Sequence, residues 1–293
     1  MTDFHPVSLK DKDFIESSIA KKTEKNCEYS FGNILCYGEV LGLEIAEIAG
    51  CFVSKLRGEG AMYCCFPVGG DIRAALETIR DEGRKSGKTA FFYGLSEEEA
   101  ELFNSLFPDE PPAKEDRDHF EYCYNSSDLI SLSGKKYQSK RNHISFFERN
   151  NNFTYEPLTK AHTDECLSMN REWLEAHEGD MDGLDEEFAV IERAFYYFDD
   201  VPFKGGVLRA DGKIIAYTMG EELDSETFCV HFEKAFSSVR GAYPAINRYF
   251  AENALSGYKY INREDDAGHE NLRKAKLSYH PAFLLKKYRA VLK

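Results

Sequence analysis

The chain has 293 residues, room for about two domains of ordinary size. Its 42% hydrophobic share, with 22 Phe and 17 Tyr, excludes a disordered chain, and no run of 18 uncharged apolar residues offers a membrane span. The net charge of −14 argues against casual binding to nucleic acid or an anionic membrane, and the first residues lack the apolar stretch of a secretory signal.

Three strands are predicted first, at 43–48, 51–56 and 61–68, with turns at Ala49-Gly50 and Gly58-Glu59-Gly60, the spacing of an antiparallel meander. Ile72, Leu76 and Ile79 follow at helical spacing behind Asp71, a good N-cap. A short aromatic strand is expected at 88–93. Ser96 and Glu99 then form a capping box ahead of the apolar Leu102, Phe103 and Leu106. A strand at 119–124 closes this half. The stretch 126–152 reads as a helix interrupted at Gly134. The same order then returns, with a strand at 153–157 and two helices, the second carrying Phe188, Ile191, Phe195 and Phe198. Strands at 206–209, 213–219 and 227–233 follow, the first two joined by the hairpin signal Asp211-Gly212. A helix at 243–255 has Pro244 in its first turn. A strand at 258–262, a short helix at 269–276 and a last strand at 281–292 complete the chain. The order meander, helix, strand, helix, strand thus occurs twice. We expect an α+β protein with a first domain at 1–128, a linker helix at 129–150 and a second domain at 151–293.

Charge is unevenly spread. Residues 271–293 carry +7 and residues 133–149 carry +4, which leaves −25 on the rest. Two basic islands in an acidic body are either solvated faces or a focus for an anionic ligand. The eight cysteines form no C-x-x-C pair, so neither a zinc nor a thioredoxin motif is expected, and thiols inside apolar runs fit a reducing, cytoplasmic setting. The acidic run from His177, with Asp180, Asp182 and Asp185, lacks the glycine an EF-hand needs at its sixth position, and no metal is expected.

The order of the second half is that of a GNAT acyltransferase domain, so two mixed, mostly antiparallel GNAT-like sheets in tandem are expected. In that fold the fourth and fifth strands splay, freeing backbone N–H groups to polarise an acyl carbonyl, and the next helix N-terminus can hold phosphate. The corresponding loop offers Arg240 and Gly241 just before the helix. A coenzyme-A loop would place Gln or Arg at Ser238 and Gly or Ala at Tyr243, and both are missing. In the first half, Asp71 stands where phosphate would sit.

Three blocks carry a closer resemblance: LSGKKYQSKRNHISFF (132–147), HFEKAFSSVRGAYPAINRYF (231–250) and NREDDAGHENLRKAKLSYHP (262–281). They resemble the cytosolic C-terminal domain of bacterial phosphatidylglycerol lysyltransferases and its soluble relatives, which are similar in build to the Fem peptidoglycan aminoacyltransferases. The resemblance implies transfer of an aminoacyl group from aminoacyl-tRNA to an acceptor; the lipid enzyme of that family joins the domain to many membrane spans, and this sequence departs from it in offering none, so no stable membrane insertion is expected. On those blocks, Asn262, Glu264 and Asp266 are expected to alternate on one strand face, Glu264 or Asp266 accepting the proton of the attacking group. Arg263 would point away or pair with an acid. His231 and Glu233 alternate about Phe232 and are expected to share a face. Lys136, Lys140 and His143 follow helical spacing beside Arg141, and Arg273 and Lys276 share a helical face; with Arg240, Gly241, Asn247 and Asn262 they are the expected substrate-binding groups. Aminoacyl-tRNA or an acyl-CoA is the expected donor. A non-catalytic tandem-GNAT module that binds an anionic ligand or a protein stays open beside both.

Overall fold

The computed structural model describes residues 2–56, 60–177 and 183–293. Asp180 and Asp182 of the acidic run therefore lie outside the described residues. The chain divides into two compact units: 1–121 with 265–270 and 284–293, and 122–264 with 271–283.

The sheet of the first unit runs β1 (His5–Pro6), β2 (Leu43–Ile48), β3 (Cys51–Leu56), β4 (Ala61–Cys65), β6 (Thr89–Leu95), β15 (Tyr288–Leu292) and β7 (Lys114–Glu115), with β5 (Val68–Gly69) beside β3. The sheet of the second runs β14 (Phe283–Leu285), β8 (Glu121–Asn125), β13 (Tyr260–Asn262), β12 (Thr227–Ala235), β11 (Lys213–Glu222), β10 (Lys204–Ala210) and β9 (Phe153–Pro157). In each sheet an antiparallel meander leads into one parallel pair, β4 with β6 and β12 with β13.

Local chemistry explains the elements read correctly. Asp71 caps α3 (Ile72–Lys85) by accepting the Ala74 N–H at 3.0 Å. Ser96 and Glu99 close the capping box on α4 (Glu97–Leu106). Asp211 and Gly212 take φ of 48° and 84°, as a tight hairpin of this hand requires. The core of the first unit gathers Val53, Phe66, Leu76, Ile79, Phe92 and Phe103 with Leu292. That of the second gathers Phe147, Leu208, Ala216, Ala235 and Ile246.

Other expectations are corrected. The last strand, expected at 281–292, is two strands in different sheets, β14 and β15, separated by Lys286 and Lys287. Two helices precede the first expected element, α1 (Lys12–Ile19) and α2 (Phe31–Leu41). Helix α2 is buried at Phe31, Gly32, Ile34, Leu35, Cys36 and Gly38, almost all round, so no 3.6-residue stripe marks it. The 126–152 stretch is α5 (Ser126–Ser131), a 3-10 turn and α6 (Gln138–Asn150), broken around Gly134 as expected. Among the described residues, helices α7 (Thr163–Glu175), α8 (Leu184–Tyr196), α9 (Ala242–Ala254) and α10 (Glu270–Leu277) follow. All eight cysteines are buried and unbridged.

Candidate active site

The parallel pairing of β12 with β13 lasts three residues, from Thr227↔Tyr260 to Cys229↔Asn262. β12 then runs on to Ala235 after β13 has ended, so the two strands diverge. In the first unit, β4 and β6 keep register through five pairs, to Cys65↔Tyr93. The opening expected of a GNAT unit is therefore in the second.

Two local departures shape this opening. The register of β12 on β11 shifts between Met219↔Phe232 and Gly220↔Val230, which makes His231 the extra residue of a bulge. Gly220 stands opposite, where a Cβ would fall 1.9 Å from the Cys229 carbonyl oxygen. Gly220→Ala should therefore cost about 1–3 kcal/mol, read by urea unfolding, because backbone must shift to admit one methyl. On the other side, Glu264 takes a left-handed φ of 55°, its N–H donating to Asn262 Oδ1 at 2.9 Å. The strand cannot continue through that conformation.

These departures overturn two expected alignments. The bulge breaks the alternation of His231 with Glu233, and the two side chains enter different networks. The end of β13 at Asn262 removes the alternation of Asn262, Glu264 and Asp266. Asp266 belongs to the first unit, fully buried, ion-paired with Arg117 at 3.3 Å and accepting the Gly268 N–H.

The first network centres on Arg263. Its Nη2 donates to Glu233 Oε1 at 2.7 Å, and Asn247 Nδ2 on α9 donates to Glu233 Oε2 at 3.2 Å. The guanidinium lies over Tyr279 and Tyr124, 4.9 and 5.7 Å from their ring centres. Among the described residues, Arg263 Nη1 and Asn247 Oδ1 are buried without a hydrogen-bond partner, a costly condition. Lys140 on α6 joins them, its Nζ 3.8 Å from the Tyr279 ring centre and donating to Ser278 Oγ at 2.7 Å. Burial, then the Arg263 charge, push the Lys140 amine down to about 8, against the opposing pull of Glu233. Lys276 Nζ donates to the Arg263 carbonyl oxygen at 2.6 Å and so props the same turn.

The second network centres on His231, whose side chain is 2% exposed. Its Nδ1 lies 2.7 Å from Glu264 Oε1 and its Nε2 3.1 Å from Glu221 Oε1. Cys229 Sγ lies 3.9 Å from the same Glu264 oxygen. Burial alone would lower the imidazole pKa; Cys229, Glu221 and Glu264 outweigh it and hold it well above its usual value.

Other expected ligand groups have local duties. Arg141 donates to the carbonyls of Leu132 and Gly134 and to Gln138 Oε1, closing the turn into α6. Lys136 precedes α6, pairs with Asp128 at 3.8 Å and does not extend a Lys140 stripe. Arg240 stacks on Phe146, 4.4 Å from the ring centre. Gly241, with φ of 91°, lets α6 approach: a Cβ there would fall 2.3 Å from the His143 carbonyl oxygen. The N-terminus of α9 offers little to a phosphate, since the Ala242 N–H donates to Val239 and Pro244 has none. Arg273 is half-buried on α10. The C-terminal basic island is likewise spent to some extent: Lys286 pairs with Glu115 at 2.9 Å, and Lys287 is buried among carboxylates. Sequence reasoning missed Cys229, Glu221 and Tyr279, whereas Arg263, expected to point away or pair with an acid, does pair with one, Glu233. Tyr279 lies within the 262–281 block; Glu221 had no signal, because only the bulge aims its neighbour at it.

Residues 20–291 match the family model described as phosphatidylglycerol lysyltransferase, C-terminal. A conserved protein of unknown function from Bacteroides thetaiotaomicron is 36% identical, with all of both chains covered and a TM-score of 0.93. The L-PGS structure from Bacillus licheniformis has a TM-score of 0.67 at 15% identity, covering 96% of this chain and 91% of that one. FemX has a TM-score of 0.63 at 7% identity, with 99% and 97% covered. A tandem GNAT protein from the clavulanic acid biosynthesis pathway has a TM-score of 0.52 at 8% identity, with 99% and 98% covered, and at those identities these last three show the fold alone. An uncharacterized protein of Mycoplasmoides gallisepticum is 27% identical over 179 residues, 57% of this chain, and the chain spans about half (54%) of its length. Among the described residues, no helix is long and apolar enough to cross a membrane.

Proposed function

The chain belongs to the phosphatidylglycerol lysyltransferase C-terminal family, and on that premise we propose that it transfers an aminoacyl group from aminoacyl-tRNA to an acceptor in the opening between β12 and β13. The observation that carries the reading is the unpartnered pair Arg263 Nη1 and Asn247 Oδ1, set in one network with Glu233 and Lys140. An aminoacyl ester presents an ammonium and a carbonyl oxygen that becomes negative in the transition state. Glu233 and Asn247 Oδ1 supply acceptors for the ammonium. Arg263 Nη1 supplies a donor for the oxyanion, in a site dry enough to strengthen it.

The acceptor attacks the ester carbonyl directly. Lys140, with its amine near 8, is in part neutral at physiological pH and takes the attacking group's proton; the resulting ammonium returns a proton to the departing ribose oxygen. Glu264, expected as the base from the sequence, has its carboxylate engaged by His231, and Asp266 is held by Arg117.

The test is turnover of charged tRNA by the purified protein, followed by release of the amino acid from the tRNA and by mass gain on candidate acceptors. Acetyl-CoA is the control: calorimetry should show no low-micromolar binding, about −8 kcal/mol, because Ser238 and Tyr243 replace the residues of a coenzyme-A loop and, at the α9 N-terminus, the Ala242 N–H is engaged and Pro244 has none. Tight acetyl-CoA binding with no use of charged tRNA overturns the reading. The base assignment has its own test. The rate should rise with pH and level off above about 8, and Lys140→Gln should lower it by about 10²–10⁴-fold and remove the rise. A rate that falls above that pH would make Lys140 a cationic anchor instead.

A further inference from the structure

We propose that Cys229, His231 and Glu264 form a binding site for one zinc-like divalent ion, with Glu221 as the residue that orients the histidine. The inference is independent of the aminoacyl reading and is tested without turnover.

One ligand atom from each of Cys229, His231 and Glu264 lies within 4.8 Å of the other two. Glu264 Oε1 is 2.7 Å from His231 Nδ1 and 3.9 Å from Cys229 Sγ. Tetrahedral zinc, with bonds of about 2.3 Å to sulfur and about 2.0–2.1 Å to nitrogen or oxygen, sets its ligand atoms about 3.3–3.6 Å apart. An ion at the centre would replace the shared proton, with Nδ1 and Oε1 moving apart by about 0.6 Å and the sulfur closing in. Thiolate and imidazole together select zinc over magnesium or calcium, which take oxygen.

The histidine is presented as metal-binding histidines are. Glu221 Oε1 lies 3.1 Å from Nε2 and can keep that N–H bonded when Nδ1 gives its proton up to an ion, so the ring stays turned with Nδ1 toward Glu264 and Cys229. Glu221 is itself buried, and the rings of Phe203 and Phe232 stand 6.4 and 6.1 Å from the imidazole, an apolar surround that strengthens charge–ligand attraction. The bulge at His231, permitted by Gly220, and the left-handed Glu264 aim two of the three ligands inward. Three protein ligands leave a fourth position for water or a substrate oxygen.

A second cluster of this kind among the described residues makes the contrast. Cys27, Glu28 and Glu121 lie equally close together, but Lys287 Nζ sits among them, 2.6 Å from Glu28 and 2.5 Å from Glu121. A built-in ammonium already neutralises that group. At Cys229 the basic member is an imidazole, which can give up a proton and become a ligand.

The experiment uses the whole chain, stripped with a chelator, loaded with zinc chloride, freed of excess by gel filtration and assayed for metal. Cobalt chloride is the spectroscopic probe. The wild type should retain one equivalent of zinc and, with cobalt, show visible tetrahedral bands and a thiolate charge-transfer band. Cys229→Ser should lose the charge-transfer band, Glu264→Gln should bind at least about 10²-fold more weakly, and Glu221→Gln should bind about 10–100-fold more weakly with the band retained. If the variants fail to fold, the wild type decides: one equivalent with a thiolate band supports the site. Retention of no zinc, a cobalt spectrum without thiolate character, or unchanged binding by a folded Cys229→Ser protein overturns it.

Discussion

Lys287→Met is expected to lower stability by about 3–5 kcal/mol, enough to leave the protein marginal at 37 °C. The Lys287 side chain is 1% exposed, with Glu28, fully buried Glu121 and, at 3.9 Å, Asp265 around its Nζ. Removing the ammonium leaves these carboxylates repelling one another in a poorly solvated pocket. The cost is that of uncompensated charge rather than lost volume, since Met fills nearly the same space. Glu121 also accepts the Cys27 N–H at 3.0 Å, so Glu121→Gln in the Lys287→Met background keeps an acceptor there while removing one charge. The double variant should recover some of the loss; equal stability of single and double variants in urea would sink the argument. Burial by itself would lower the Lys287 pKa, but Cys27 and the carboxylates outweigh it and raise the value well above its usual 10.5. A cation whose pKa is raised by folding contributes its stability fully below the unfolded value and loses it above. The wild type should therefore weaken as pH rises beyond about 10.5, a limb that Lys287→Met lacks.

Lys287 also shows where sequence reasoning stops. The run from 281 to 292 reads as one strand because its apolar residues continue across Lys286 and Lys287. Those lysines separate a pair of strands that enter different sheets, and pairing partners more than a hundred residues away leave no local trace. Elements stabilised by their own neighbours were legible: the Ser96 capping box, the Asp71 cap, the Asp211-Gly212 hairpin and the meanders. So was the strand pair that opens, because its place follows from element order. The site inside it was legible only as a neighbourhood. Glu233, Asn247 and Lys140 were named for their types, and three distant segments had to fold before they met. Alternation failed at His231 and at Glu264 because a bulge and a left-handed residue each cancel the two-residue period, and both depend on tertiary contacts. The Gly241 signal was real and served another purpose, the close approach of α6 rather than that of a phosphate.

Arg263→Met should be the most damaging change in the second unit, and it separates folding from function. Arg263 and Glu233 are 13% and 10% exposed along their side chains, so the pair is largely withdrawn from water. Removing the guanidinium strands Glu233 with Asn247 as its hydrogen-bonding neighbour and strips Tyr279 and Tyr124 of the cation above their rings. A loss of about 3–5 kcal/mol is expected. Arg263→Met with Glu233→Met should regain much of it, since two well-packed apolar chains can replace a buried pair without leaving a charge. Neither variant should retain transfer activity. The discriminating variant is Arg263→Lys. An ammonium can still pair with Glu233, so the protein should fold with a smaller loss. It cannot present a second, fixed N–H to the oxyanion in the way Nη1 does. Transfer should fall by about 10²–10³-fold, in kcat more than in KM, because the lost donor acts on charge that develops only in the transition state. A folded Arg263→Lys protein with unchanged kcat would mean that Nη1 is an incidental vacancy in the core. The carrying observation for aminoacyl transfer at this opening would then be lost, whatever the tRNA assay had shown for the wild type.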